Sequence, residues 1–202
     1  DVSAGYRTGL DTFGIQNMGS LSFNFVGTWL DKLETTILNG QQPVDCAGLY
    51  GAQCSAIGGS TNPNPKWRHK FRVTWNTPFE MGWFGNLGLS AQWRYFAKVD
   101  VDTTSSNPII HGDVVPTDRR LGARSYLDLL ATFKVKDNYS FRIGVNNVLD
   151  QDPPLTGAGG TNPSGGTNFP SNCPSFGCNQ NVYAQTYDAL GRYIFVGVTA
   201  DF

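Results

Sequence analysis

The chain has 202 residues, with 24 Gly, 11 Pro, 13% aromatic and only 15% charged residues, a composition of strands and turns that excludes a helical or disordered chain. Lys and Arg number 15 against 16 Asp and Glu, for a net charge of −1, too balanced to neutralise a row of phosphates and so excluding nucleic acid as the main partner. No stretch approaches the roughly 18 apolar residues of a spanning helix, so a meeting with a membrane would fall to strands.

Residues 1–6 carry neither the basic start nor the apolar core of a signal peptide and read as the inside of a strand. Apolar and polar residues then alternate with the period of two that marks strands with unlike faces. The first strand, over 2–12, places Val2, Ala4, Tyr6 and Leu10 together. In the second, Leu21, Phe23, Phe25 and Trp29 oppose Ser22, Asn24 and Thr28. Next, Trp67, Phe71, Val73 and Trp75 oppose Arg68, Lys70, Arg72 and Thr74. Over 87–98, Leu87, Leu89, Ala91, Trp93 and Tyr95 oppose Gly88, Ser90, Gln92, Arg94 and Lys98. Leu127, Leu129, Ala131, Phe133 and Val135 then oppose Arg124, Tyr126, Asp128 and Lys134. After a turn at 136–138, Tyr139, Phe141, Ile143 and Val145 oppose Ser140, Arg142, Gly144 and Asn146. The last strand, within 190–202, aligns Ile194, Val196, Val198, Ala200 and Phe202. These are about seven strands, most meeting the roughly 9–11 residues a tilted membrane strand needs.

The connections alternate in length. Those at 14–18, 77–85 and 136–138 are short, whereas 38–65, 102–121 and 151–188 are long and rich in Gly, Pro, Asn, Ser and Thr. Short turns at one end and long loops at the other is the asymmetry of outer-membrane barrels, whose long loops are extracellular; a soluble sandwich has no reason to sort its loops so. Cys46/Cys54 and Cys173/Cys178 lie as two close pairs in long loops, without the spacing of a zinc knuckle and with only His69 and His111 to complete a metal site. Two disulfides, each within one loop, are expected, in an oxidising compartment.

Aromatic residues gather at strand ends as a lipid–water interface favours: Phe13, Trp75, Phe79, Trp83, Phe84, Tyr139 and Phe202 at the short-turn end, Trp29 and Trp67 at the other. The plainer reading, aromatics filling a soluble β core, has to accommodate the Arg and Lys on the opposite faces. An odd strand count does not close a conventional bacterial barrel. The fold expected is therefore all-β, a transmembrane antiparallel β-barrel of which residues 1–202 form the C-terminal portion.

Residues 140–150, Ser-Phe-Arg-Ile-Gly-Val-Asn-Asn-Val-Leu-Asp, followed by a long loop, resemble the penultimate strand of TonB-dependent outer-membrane receptors. Residues 187–198, Tyr-Asp-Ala-Leu-Gly-Arg-Tyr-Ile-Phe-Val-Gly-Val, are similar to that family's closing strand. Ile194, Val196, Val198, Ala200 and the terminal Phe202 resemble the signal read by the barrel-assembly machinery. The resemblance covers about the last 80 residues of the chain. It implies a barrel of about 22 strands filled by a plug, of which this chain supplies about the last third; neither plug nor TonB-contacting segment is recognisable here.

What the resemblance implies for function is energised uptake of a scarce ligand, such as a siderophore–iron complex or another large nutrient. The partners would be outer-membrane lipid, the rest of the barrel and its plug, and the TonB complex through that missing part. Long loops would face outward and the C-terminus the periplasm. The candidate ligand surface in this piece comprises the long loops with Arg94, Phe96, Lys98, Arg124 and Tyr126; the competing reading pairs Arg94 and Arg124 with acidic neighbours such as Asp128 across strands, or with plug residues. Asp100/Asp102 and Asp150/Asp152 could offer oxygens to calcium, but Asp-X-Asp beside Pro or Thr is more often turn chemistry. No cofactor, metal site or enzyme active site is expected, since Ser125 and the two histidines form no recognisable nucleophilic motif. A passive porin and a soluble sugar-binding β-sandwich are the alternatives.

Overall fold

A computed structural model describes residues 1–36, 39–54, 62–79, 84–114, 116–135, 138–156 and 182–200. In chain order its strands are β1 (Val2–Gly9), β2 (Ser20–Trp29), β3 (Glu34–Thr35), β4 (Val44–Asp45), β5 (Leu49–Tyr50), β6 (Trp67–Asn76) and β7 (Phe84–Phe96). There follow β8 (Val99–Val101), β9 (Arg120–Leu121), β10 (Arg124–Val135), β11 (Tyr139–Asn146) and β12 (Tyr193–Ala200).

The seven long strands form one antiparallel sheet in the order β1-β2-β6-β7-β10-β11-β12, with β1 and β12 at its edges. Every neighbour in this sheet is next in the chain among the long strands, so all connections are hairpin-like. Paired residues share a face, and the register carries one apolar row across the whole sheet: Tyr6, Phe23, Val73, Ala91, Leu129, Val145 and Ile194. A second apolar row, two residues away, runs through Leu21, Trp75, Leu89, Ala131, Ile143 and Val196. The alternation in the sequence thus becomes one continuous apolar surface, because a one-residue slip in any strand would invert that strand's faces.

Among the described residues nothing covers this surface. Trp93 remains 44% exposed, Leu129 43%, Ile143 42% and Val196 67%, although such side chains ordinarily supply a protein's core. The buried apolar residues lie elsewhere: among the described apolar side chains of the seven long strands, only Tyr126 is buried. One cluster joins Tyr50, Val99, Val101, Leu121, Tyr126, Tyr183 and Tyr187. Another joins Val44, Cys46, Cys54 and Ile110. Apart from Tyr126 of β10, both are built by the long connections, which also fold into small sheets, β3-β4 and β5-β8-β9. Cys46 and Cys54 are bridged, with Cα atoms 5.7 Å apart; Cys173 and Cys178 lie outside the described residues.

Strand boundaries differ from the sequence reading where turns intrude. The first strand stops at Gly9 rather than near 12, because Leu10–Phe13 form a 3-10 turn closed by Gly14 at φ 79°, a left-handed conformation that glycine adopts without steric cost. Leu10 N–H donating to Gly19 O (2.9 Å) and Asn17 N–H donating to Asp11 Oδ1 (3.2 Å) complete the hairpin. The fourth strand runs 84–96 rather than 87–98, and the last begins at Tyr193; Phe202 lies outside the described residues.

Aromatic side chains collect at the loop end of the apolar face. His69 Nδ1 accepts from Trp67 Nε1 (2.9 Å) and lies against Trp93 and Tyr95 at ring separations of 4.6 and 5.4 Å. Trp29 flanks Trp67 at 6.4 Å. At the short-turn end, Trp75 Nε1 donates to Met18 O (2.7 Å), and Phe133 stacks on Phe141 at 5.3 Å.

Candidate functional site: the loop-side end of the polar face

The opposite face of the sheet holds the charge. The seven long strands contain eight cationic residues, Arg7, Arg68, Lys70, Arg72, Arg94, Arg124, Lys134 and Arg142, and a single acidic one, Asp128. The alternation and register place all of these on the polar face. Since the chain as a whole is nearly neutral, the connections carry the compensating acidic excess. A cationic wall beneath acidic loops is a property that the overall net charge conceals.

Four of the five candidate residues share the loop end of this face: Arg124 pairs with Phe96 across β10 and β7, and Tyr126 with Arg94. Arg94 is held on two sides. Its Nε and Nη2 donate to Asp128 Oδ2 and Oδ1 at 2.6 and 2.9 Å, and Nη1 and Nη2 donate to Asp188 at 2.9 and 2.5 Å. The guanidinium carbon also lies 5.0 Å from the centre of the buried Tyr126 ring, within cation–π range. Arg94 therefore pairs with Asp128 as the competing sequence reading has it. The planar fork makes four donations to two carboxylates, one more than the three N–H groups of a lysine ammonium supply.

Asp128 is itself further engaged, accepting from Gln92 Nε2 (3.3 Å) and from the backbone N–H of Asn147 (2.9 Å). Gln92 Oε1 in turn accepts from Arg72 at 2.7 and 3.1 Å. Asn147 is fully buried and exchanges hydrogen bonds with Gln151, its Nδ2 donating to Gln151 O and its Oδ1 accepting from Gln151 N–H, at 3.0 and 2.9 Å. Three residues on, Asp150 Oδ1 accepts from Arg192 N–H (2.7 Å), and Arg192 Nε donates to Val148 O (3.0 Å). This supplies a physical account of Asn146-Asn147-Val148-Leu149-Asp150: the Asn147 backbone N–H ties the end of β11 to Asp128 on one side, and the Asp150 carboxylate with the Val148 carbonyl ties it to the entry of β12 on the other. Asp188, Gln92 and Asn147 complete a network that strand alternation alone does not reveal; the signal for Asn147 and Asp188 was their place in the two quoted motifs.

The other candidates divide. Phe96 packs edge-on against Tyr126 and Tyr187, at 6.3 and 5.8 Å, and Tyr126 is completely buried. Arg124 donates to the backbone carbonyls of Asp152 (2.7 Å) and Ala123 (3.0 Å) rather than to a carboxylate. Lys98 follows β7 and is exposed, apart from the network. A cavity of about 520 Å³ adjoins Arg94, Asp128, Asn146, Tyr187 and Asp188.

The loop layer above is fixed by buried polar groups. Tyr50 Oη donates to Asp118 O, and burial, with Asp118 and Asp102 nearby, pushes its phenol well above the ordinary range. Burial does the same to Tyr183 and Tyr187, so these tyrosines stay neutral. The buried Asp102 carboxylate accepts from Gln53 N–H (2.7 Å) and Cys54 N–H (3.0 Å), anchoring the disulfide-bearing loop; desolvation outweighs these bonds and raises its pKa. Asp100 pairs with Arg120 Nε at 2.5 Å. Thus Asp100, Asp102 and Asp150 have protein partners in turns and strands, and no group of three or more metal-ligating side chains occurs among the described residues. The arrangement fixes the loop layer over the end of the sheet through buried hydrogen bonds.

No family model, no curated protein and no solved structure matches the chain.

Proposed function

We propose that the chain is part of the wall of a larger outer-membrane β-barrel, a TonB-dependent receptor that takes up a scarce, bulky ligand such as a siderophore–iron complex. The observation that carries the membrane part is the apolar face continuous over seven antiparallel strands, whose two apolar rows are exposed or half-exposed with no residue buried, opposite a face bearing the strand charge. Leaving so much apolar surface in water is unfavourable by roughly 25 cal/mol per Å², whereas lipid accepts it.

The dimensions agree. On β6, Trp67 and Trp75 sit eight residues apart, about 26 Å along the strand at ~3.3 Å per residue. A tilt of about 40° turns this into ~20 Å along the membrane normal, close to the roughly 25 Å apolar band between aromatic girdles. Seven consecutive antiparallel strands leave β1 and β12 running in the same direction, so antiparallel closure calls for an odd number of further strands between them. Open edges in lipid would leave backbone groups unsatisfied at several kcal/mol each. The receptor assignment adds the plug, TonB and directed uptake, and its support is the pair of motifs at 140–150 and 187–198 together with long, folded loops above the polar face.

Cell fractionation tests the reading: the full-length protein is expected in the outer membrane, extractable only with detergent, and its loss is expected to abolish uptake of a ligand in a TonB-dependent manner. Recovery as a soluble monomer would overturn the membrane part, and uptake that persists without TonB the receptor part.

A further inference from the structure

Three successive polar-face positions of β6, Arg68, Lys70 and Arg72, are cationic. Alternate residues on a strand stand about 7 Å apart, so the three charges form a ladder about 14 Å long. The register gives each its neighbours: Thr28 and Phe96 beside Arg68, Val26 and Arg94 beside Lys70, Asn24 and Gln92 beside Arg72. None is acidic. The one carboxylate on the polar face of the sheet, Asp128, is taken by Arg94. Arg72 meets only the neutral Gln92 amide, and Arg68 and Lys70 have no ion pair or side-chain hydrogen bond among the described residues. Lys70 stands directly opposite the cationic Arg94, a like-charge placement that destabilises a sheet, and no register neighbour of the ladder is a carboxylate that would offset it. At its loop end lies a cavity of about 480 Å³ lined by Arg68 and Lys70 with Thr28, Asn62, Phe96 and Gln185.

We propose that this ladder and cavity bind a ligand bearing oxyanions, carboxylate or phosphate, with Arg68 and Lys70 making the charge-assisted contacts at the mouth and Arg72 extending the track inward. Thr28, Asn62 and Gln185 add polar groups suited to hydroxyls beside the charges, and Phe96 a flat apolar wall. The inference rests on the barrel reading, in which the polar face lines the lumen, and narrows the ligand to an anionic one.

The test is calorimetry on the full-length protein in detergent at low ionic strength, with citrate and inorganic pyrophosphate as separate probes and maltotriose as a neutral control. Binding of citrate, of pyrophosphate or of both, but not of maltotriose, is expected, and the pattern tells which oxyanion the track takes. Arg68→Gln/Lys70→Gln should weaken binding about tenfold or more, while the charge-preserving Arg68→Lys/Lys70→Arg should stay within about threefold and Lys134→Gln, near the far end, should match the parent. Heat-modifiable migration of the same samples reports the barrel. A heat-modifiable protein that binds neither anion, or whose double Gln variant binds as tightly as the parent, overturns the track alone; a protein that is soluble and not heat-modifiable overturns the barrel and the track with it.

Discussion

Replacing Arg94 by Met isolates the energetic weight of the polar network. The side chains of Arg94, Asp128 and Asp188 are only 16%, 11% and 22% exposed, so water screens their interaction weakly. Removing the guanidinium leaves two carboxylates facing one another without a cation, and breaking a buried pair in this way costs about 3–5 kcal/mol. Residual exposure of Asp188 places the expected loss near the lower end, about 3 kcal/mol. Neutralising what remains should reverse it: Arg94→Met/Asp128→Asn/Asp188→Asn is expected within about 1 kcal/mol of the parent, since an uncharged network avoids the desolvation cost. Asn at 128 still offers an acceptor to the Asn147 N–H. The assay is urea unfolding of the full-length protein in detergent, followed by loss of heat-modifiable migration. A single substitution costing under about 1 kcal/mol, or a triple variant no better than the single, would refute the buried-network argument.

Reducing Cys46–Cys54, which closes an 8-residue separation, should destabilise its loop by about 2–3 kcal/mol; proteolysis between these cysteines should rise while far-ultraviolet dichroism of the strands stays constant. Asp102, with its folded pKa raised above 3.8, holds its proton more tightly in the folded loop, so its contribution is most favourable on the acid side and is lost as pH rises through the folded pKa. Amide exchange at Gln53 and Cys54, corrected for intrinsic rates, should therefore slow as pH falls from about 7 toward about 4, and Asp102→Asn should flatten that trend. Gly51 has φ +138°, and an added Cβ would fall 2.5 Å from the Asp102 carboxylate, so Gly51→Ala should cost about 1–3 kcal/mol of loop stability, read as faster proteolysis of that loop.

Legibility in the sequence followed periodicity. Phe71, Val73 and Trp75 alternate with Arg72 and Thr74 over a full strand, and such runs specify both strand and face. By contrast β3, β5 and β9 have two residues each, too few for any period, so the folded loop layer with its buried Tyr50 and Tyr183 was hidden inside stretches that read as Gly- and Pro-rich connections. The Arg94–Asp128 contact could be named as a cross-strand candidate, but Asp188 lies 94 residues from Arg94, and only the path of the chain after residue 150 brings it back. The ladder at Arg68, Lys70 and Arg72 was visible as the polar half of an alternation. Its lack of carboxylate neighbours depends on register, which alternation within one strand cannot supply.

The central claim is that the apolar face of the sheet meets lipid, and spin-label accessibility along β10 tests it most directly. Labels placed singly from 127 to 133 in the full-length protein, reconstituted in liposomes, are expected to alternate. Positions 127, 129, 131 and 133, on the face of Leu129 and Ala131, should be accessible to oxygen and shielded from a polar nickel complex, and positions 128, 130 and 132 should not show that lipid signature. Nickel access at the odd positions equal to that at the even ones, or odd positions closed to both reagents as in a packed protein core, would contradict the account.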